Sequence, residues 1–206
     1  MENLKKIMYV LVFISIGSVV LAQSQAVLQA AYVKSYESEK AGAYTTAIND
    51  MKAVYNAKDY TANIRLGWLS YLAKQYTESI RFYNIAIGLN PYAIEARFGC
   101  VKPQSAIESW EKVKNNYLKI LEIDPQNTVA NYWLGVMYYN AKDYTNAQKL
   151  FEKVVNLYPL DYDSTIMLAW CKVNIGKQTE ARYLFNQALI LRPSDSSALA
   201  GLKLLK

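Results

Sequence analysis

Histidine is missing from all 206 residues, which takes away the commonest general base and the commonest ligand for transition metals. Cysteine is nearly missing too: Cys100 and Cys171 are the only two, too few for a disulfide framework or a thiolate metal site. No glycine-rich phosphate loop, G-x-S-x-G elbow or calcium-loop spacing of carboxylates occurs. Asp161, Asp163, Glu122 and Asp124 lie near segment ends, where carboxylates favour the amino end of a following helix. The chain is therefore read as non-enzymatic, with no catalytic residue, no cofactor and no metal. Basic tracts are also lacking. The net charge of +6 becomes +5 without Glu2, Lys5 and Lys6, and no basic run exceeds two residues, so no nucleic-acid partner is expected. Single cations such as Lys112, Lys114, Lys119, Lys149 and Lys153 read as a solvated helix face.

Glycine and proline are scarce, at 8 and 5 residues, and no segment sustains the alternation of a strand, so helices are expected to fill most of the length. With 52% hydrophobic residues and 18 tyrosines there is ample material for a core. What is present is periodic. Pro91, Pro125, Pro159 and Pro193 recur every 34 residues. Eight residues before each stands an aromatic ring, at Tyr83, Tyr117, Phe151 and Phe185. Twelve before stand the smaller Ser79, Val113, Ala147 and Ala181, and 25 before stand Leu66, Cys100, Leu134 and Leu168. A fixed period of this length marks stacked units, none able to bury its apolar face alone. On the first helix of one unit, Asn131, Leu134, Gly135 and Tyr138 share a face, Gly135 allowing close helix approach; on the second, Ala147, Phe151 and Val154 do. Lys74-Gln75 and Lys142-Asp143 supply short polar turns, and each closing proline stops a helix.

Leu134, Gly135, Tyr138, Tyr144, Ala147, Phe151 and Pro159, with Leu66, Gly67, Tyr76, Tyr83, Ala86 and Pro91, make this pattern resemble the tetratricopeptide repeat. The resemblance implies an all-α fold, a right-handed α-solenoid of antiparallel helix pairs. It places about five repeats near 26–59, 60–93, 94–127, 128–161 and 162–195, in a single array over 23–206. The first is two residues short, since Tyr44 precedes Tyr76 by 32, and Ala57 takes the proline position. Residues 196–206 read as a capping helix, with Ala198, Leu199, Leu202 and Leu205 as its stripe and Leu199 and Leu202 near Phe185 and Ala188. Weak self-association through that helix is expected. Two repeats separate Cys100 from Cys171, beyond disulfide reach, so each reads as a small buried hydrophobe.

Lys5 and Lys6 precede an apolar run from Ile7 to Leu21, and Val20-Leu21-Ala22 fits a signal-peptidase site with Gln23 as the new first residue. Residues 1–22 thus resemble a cleaved secretory signal peptide. The expected location is periplasmic or secreted; an uncleaved anchor, the one route to a membrane, is the alternative. No cysteine follows the run for lipid attachment.

In such a stack the first helices line a concave wall. The columns facing away from the core give Ile64, Trp68 and Tyr71; Phe98 and Lys102; Tyr132, Val136, Tyr139 and Asn140; and Ile166, Trp170 and Asn174. Trp68, Tyr132 and Trp170 admit two readings. They pack on the neighbouring first helix and cement the stack, or they form an aromatic groove for a peptide or short helix, with Asn140 and Asn174 at its rim. The function expected is a scaffold for protein–protein interaction in envelope assembly or secretion; a small-ligand or glycan module using the same aromatics is the alternative. Pro103 falls inside a first helix, and Ser105-x-x-Glu108 offers an early start for the second. Trp110 keeps the column of Tyr76 and Tyr144, which favours a kinked first helix instead.

Overall fold

A computed structural model of the protein describes residues 25–205, so the leader expected at 1–22 lies outside the described residues. Eleven helices and no strand occur among them: α1 (25–40), α2 (Tyr44–Lys52), α3 (Tyr60–Leu72), α4 (Tyr76–Leu89), α5 (Glu95–Ala106), α6 (Trp110–Ile123), α7 (Thr128–Asn140), α8 (Tyr144–Leu157), α9 (Tyr162–Asn174), α10 (Gln178–Leu191) and α11 (Ser196–Leu204). They form two compact units that divide between Ile107 and Glu108. In the first, α2 packs on α3, α3 on α4, and α5 on both α3 and α4; in the second, each helix from α6 to α11 packs on the next. The fold is all-α.

The helix ends keep the proline period for a physical reason. Asn90, Asp124, Tyr158 and Arg192 each precede a proline and are held extended, with φ between −138° and −131°, so α4, α6, α8 and α10 stop in step. At the opposite ends, the side chains of Asp59, Asn127, Asp161 and Asp195 accept backbone N–H bonds and cap α3, α7, α9 and α11. Ala93 occupies that column before α5, which starts later, at Glu95, without a side-chain cap. Pro103 lies inside α5, and α6 begins at Trp110, in register with Tyr76 and Tyr144. The helix does not start early at Ser105.

Each hairpin turn needs one residue in the left-handed region. At α3–α4, Lys74 (φ 59°) fills it, and the amides of Gln75 and Lys74 bond back to Ser70 and Tyr71 at 2.8 and 2.9 Å. Lys142 (φ 61°) does the same at α7–α8, where Asp143 reaches Tyr138; Gly42 and Gly176 fill equivalent places. A side chain is penalised there and glycine is not. Lys142→Gly is therefore expected to stabilise the protein by about 0.5–1 kcal/mol, less than the full left-handed penalty because glycine also loosens the unfolded chain. Thermal denaturation followed by circular dichroism should show the midpoint rise by roughly 1–4 °C.

The rings eight residues before each proline fill the two cores: Tyr83, Tyr117, Phe151 and Phe185 are all buried. Glycine makes room for them. A methyl group on Gly135 would stand 2.9 Å from the Phe151 ring, and one on Gly99 2.2 Å from Tyr83. Both cysteines are buried thiols without a disulfide, and burial pushes Cys171 up to about 12. The expected stripe of α11 needs correction at one residue. Ala198 and Leu205 are buried and Leu202 packs beside them, but Leu199 is 49% exposed. Gly201 takes its place, its backbone so close to Phe185 that a methyl there would sit 2.1 Å from the ring. Helix α2 ends early, at Lys52, so that Tyr55 can turn inward, its ring 5.6 Å from Phe82 and its hydroxyl donating to Asn63 Oδ1 at 2.9 Å.

Candidate functional site

Helix α3 carries one charged residue, Arg65, in an otherwise uncharged sequence, and in the folded unit that residue is only 5% exposed. A buried guanidinium needs partners. Arg65 Nε donates to Ser35 Oγ at 3.0 Å, its Nη1 pairs with the Glu39 carboxylate, and its Cζ lies 3.7 Å over the Tyr36 ring. Glu39 also accepts from the Trp68 indole N–H at 2.6 Å. Residues of α1 therefore fix the α3 ring that the column reading assigned to the wall.

A cleft of about 710 Å³ opens between α1 and α3, lined by Tyr32, Tyr36, Glu39, Ile64, Trp68 and Leu72 among others. From α5, Lys102 Nζ lies 4.8 Å over the Trp68 ring and 5.9 Å from the Tyr71 ring. Tyr71 continues the aromatic row, 5.8 Å from Trp68 and 6.1 Å from Tyr76. The fold thus brings Ile64, Trp68, Tyr71 and Lys102 together in the first unit, with Phe98 half-buried one turn before Lys102.

Burial alone would raise the Glu39 pKa. The hydrogen bonds from Trp68 and Arg65, and the charge of Arg65, outweigh it and hold the group below the ordinary 4.5. A carboxylate depressed in the folded state contributes stability that is whole above 4.5 and lost as pH falls through its lower folded value. In an acid titration, the Trp68 indole N–H resonance is expected to hold steady above pH 4.5 and to move only below it.

The second unit uses its wall residues differently. The Tyr132 ring meets Phe151 at 5.8 Å and Trp133 at 5.3 Å. Trp170 packs on Phe185 at 5.1 Å and donates its indole N–H to Ser197 Oγ on α11 at 2.9 Å. The Asn174 amide donates to the Trp170 carbonyl at 2.8 Å, and Tyr139 meets Tyr144 at 5.2 Å. Ile166, at 8% exposure, belongs to the core, which Val136 packs against; Asn140 is exposed. Here the cementing role dominates. Trp133 lies outside those columns and is 48% exposed above a notch of about 350 Å³ that Tyr158, Asp161 and Asp163 also line. Lys172 is buried between Glu152 at 2.5 Å and Glu180 at 2.7 Å, a structural ion pair.

A structure of a tetratricopeptide repeat protein from Parabacteroides merdae superposes with a TM-score of 0.73 at 20% identity, covering 87% of this chain and 72% of that one. The fold is the tetratricopeptide repeat. A structure of MamA matches with a TM-score of 0.69 at 17% identity, covering 80% of this chain and 91% of that one. YrrB, a tetratricopeptide repeat protein with an unusual peptide-binding site, matches with a TM-score of 0.66 at 21% identity, covering 79% and 81%. A family model for the anaphase-promoting complex, cyclosome, subunit 3 matches residues 104–188, part of the repeat region. No protein of curated description matches the sequence significantly. The hairpins at Lys74 and Lys142 and the rings at Tyr83, Phe151 and Phe185 are the repeat's turns and core.

Proposed function

We propose that the protein is a non-enzymatic scaffold whose first unit holds an extended peptide segment of a protein partner in the α1–α3 cleft. One observation carries this: Trp68 and Tyr71 stay partly open to solvent while Glu39 and Lys102 hold the indole in place. Rigid, partly exposed aromatic rings make large contacts at low entropic cost, as binding anchors do. The fold supports protein or peptide partners, and the peptide-binding site of YrrB gives a precedent within it. Export belongs to the same reading: the basic start at Lys5 and Lys6, the apolar run to Leu21 and the site at Ala22 direct the chain to the periplasm or beyond. There the scaffold would serve envelope assembly or secretion. Sequencing the amino terminus of protein recovered from its host tests export, with Gln23 the expected first residue.

A photo-crosslinking amino acid placed at position 72, which lines the cleft, and separately at the exposed Trp110 of α6, tests binding. A covalent peptide adduct is expected from position 72 and not from 110. Equal capture from both positions, or none from 72, would contradict the proposal.

A further inference from the structure

Two polar atoms in the α1–α3 region have no partner, although both are buried: Nη2 of Arg65 and the hydroxyl of Tyr32. Both residues line the same cleft, and Tyr32 also lines an adjoining one of about 550 Å³ beside Asp59. Leaving such groups unpaired is costly, and native structures seldom tolerate it. Resting on the peptide-binding reading, we propose that these two donors receive a neutral main-chain carbonyl oxygen of the bound peptide, with its neighbouring apolar side chain against Ile64 and Trp68.

Charge selects the acceptor. Arg65 is already neutralised by Glu39, and the remaining ionic groups lining the two clefts, Lys40 and Asp59, also cancel. A carboxylate entering here would meet Glu39 and Asp59 as well as Lys40 and Arg65 and gain no net attraction, whereas a carbonyl only needs the two hydrogens. Burial, with the carboxylate of Asp59, pushes the Tyr32 hydroxyl up to about 12, so it remains protonated and able to donate.

Titration of the full-length chain with N-acetyl-leucinamide and, separately, with sodium acetate, followed by nuclear magnetic resonance, tests the assignment. Saturable shifts of the Arg65 guanidinium and Tyr32 ring signals are expected with the amide, and none with acetate at the same concentration. Tyr32→Phe should melt no lower than the wild type, because the hydroxyl has no partner to lose and its unpaired burial is costly, while binding the amide roughly five- to tenfold more weakly. Amide binding of undiminished strength by Tyr32→Phe would overturn the assignment, and so would acetate shifts equal to those of the amide. Shifts confined to Trp68 and Ile64 would leave a peptide site standing without this anchor. No shift at any of the four residues would remove both.

Discussion

A chain ending at Asp195 is expected to unfold roughly 10–20 °C below the full-length protein, the loss being about 3–6 kcal/mol. Helix α11 covers the open end of the second unit. Its removal exposes the Phe185 ring that lies against Gly201, and it takes away the buried Ala198 and Leu205. It also strips the Trp170 indole of its Ser197 acceptor and leaves Arg182 without the Leu205 carbonyl. Repeat proteins depend on such terminal coverage because an open end exposes core. The truncated chain should also associate, since the uncovered ring is a large apolar surface. Melting by circular dichroism and size-exclusion chromatography check both effects. An unchanged midpoint with a single monodisperse peak would show that α11 covers nothing of consequence.

Phe151→Ala should cost about 3–5 kcal/mol, lowering the midpoint by roughly 6–20 °C. Phe151 is completely buried, Tyr132 stacks edge-on against it at 5.8 Å, and the Gly135 backbone lies against its ring. Little can move in to fill the void, because the neighbours are helix backbone on one side and a ring already held by Trp133 on the other. Leu157→Ala, at a half-exposed position on the same helix, should change the midpoint far less. Equal losses in a urea titration would contradict this placing of the core.

These core positions were legible in the sequence because each repeat restates them. The ring at Phe151, the small residue at Ala147 and the stop before Pro159 recur with the period, and so do capping oxygens at Asp59, Asn127, Asp161 and Asp195. Features outside the period were hidden. Hydrophobicity favours Leu199 over Gly201 on the inner face of α11, but the contact is decided by how closely backbone can approach Phe185, where only glycine fits. Tyr55 enters the core from a segment that the shortened first repeat puts out of register.

The candidate site divided the same way. Ile64, Trp68 and Tyr71 followed from their column, while Ser35, Tyr36, Glu39 and Arg65 did not, because their pairing joins α1 to α3 across 26 to 30 residues. The one hint was a lone charge in α3. In the second unit the columns gave Trp170 and left its use open between cement and groove; the bond to Ser197 marks it as cement.

Selection of random dodecapeptides displayed on phage against the full-length protein, with affinities then measured for the wild type and for Trp68→Ala, tests the central claim most directly. Enriched peptides sharing an apolar consensus are expected, bound at least tenfold more weakly by Trp68→Ala and undiminished by Trp110→Ala, on the usual weight of a buried aromatic anchor. Failure to enrich any sequence, or equal affinity for wild type and Trp68→Ala, would contradict a peptide site on the α1–α3 face.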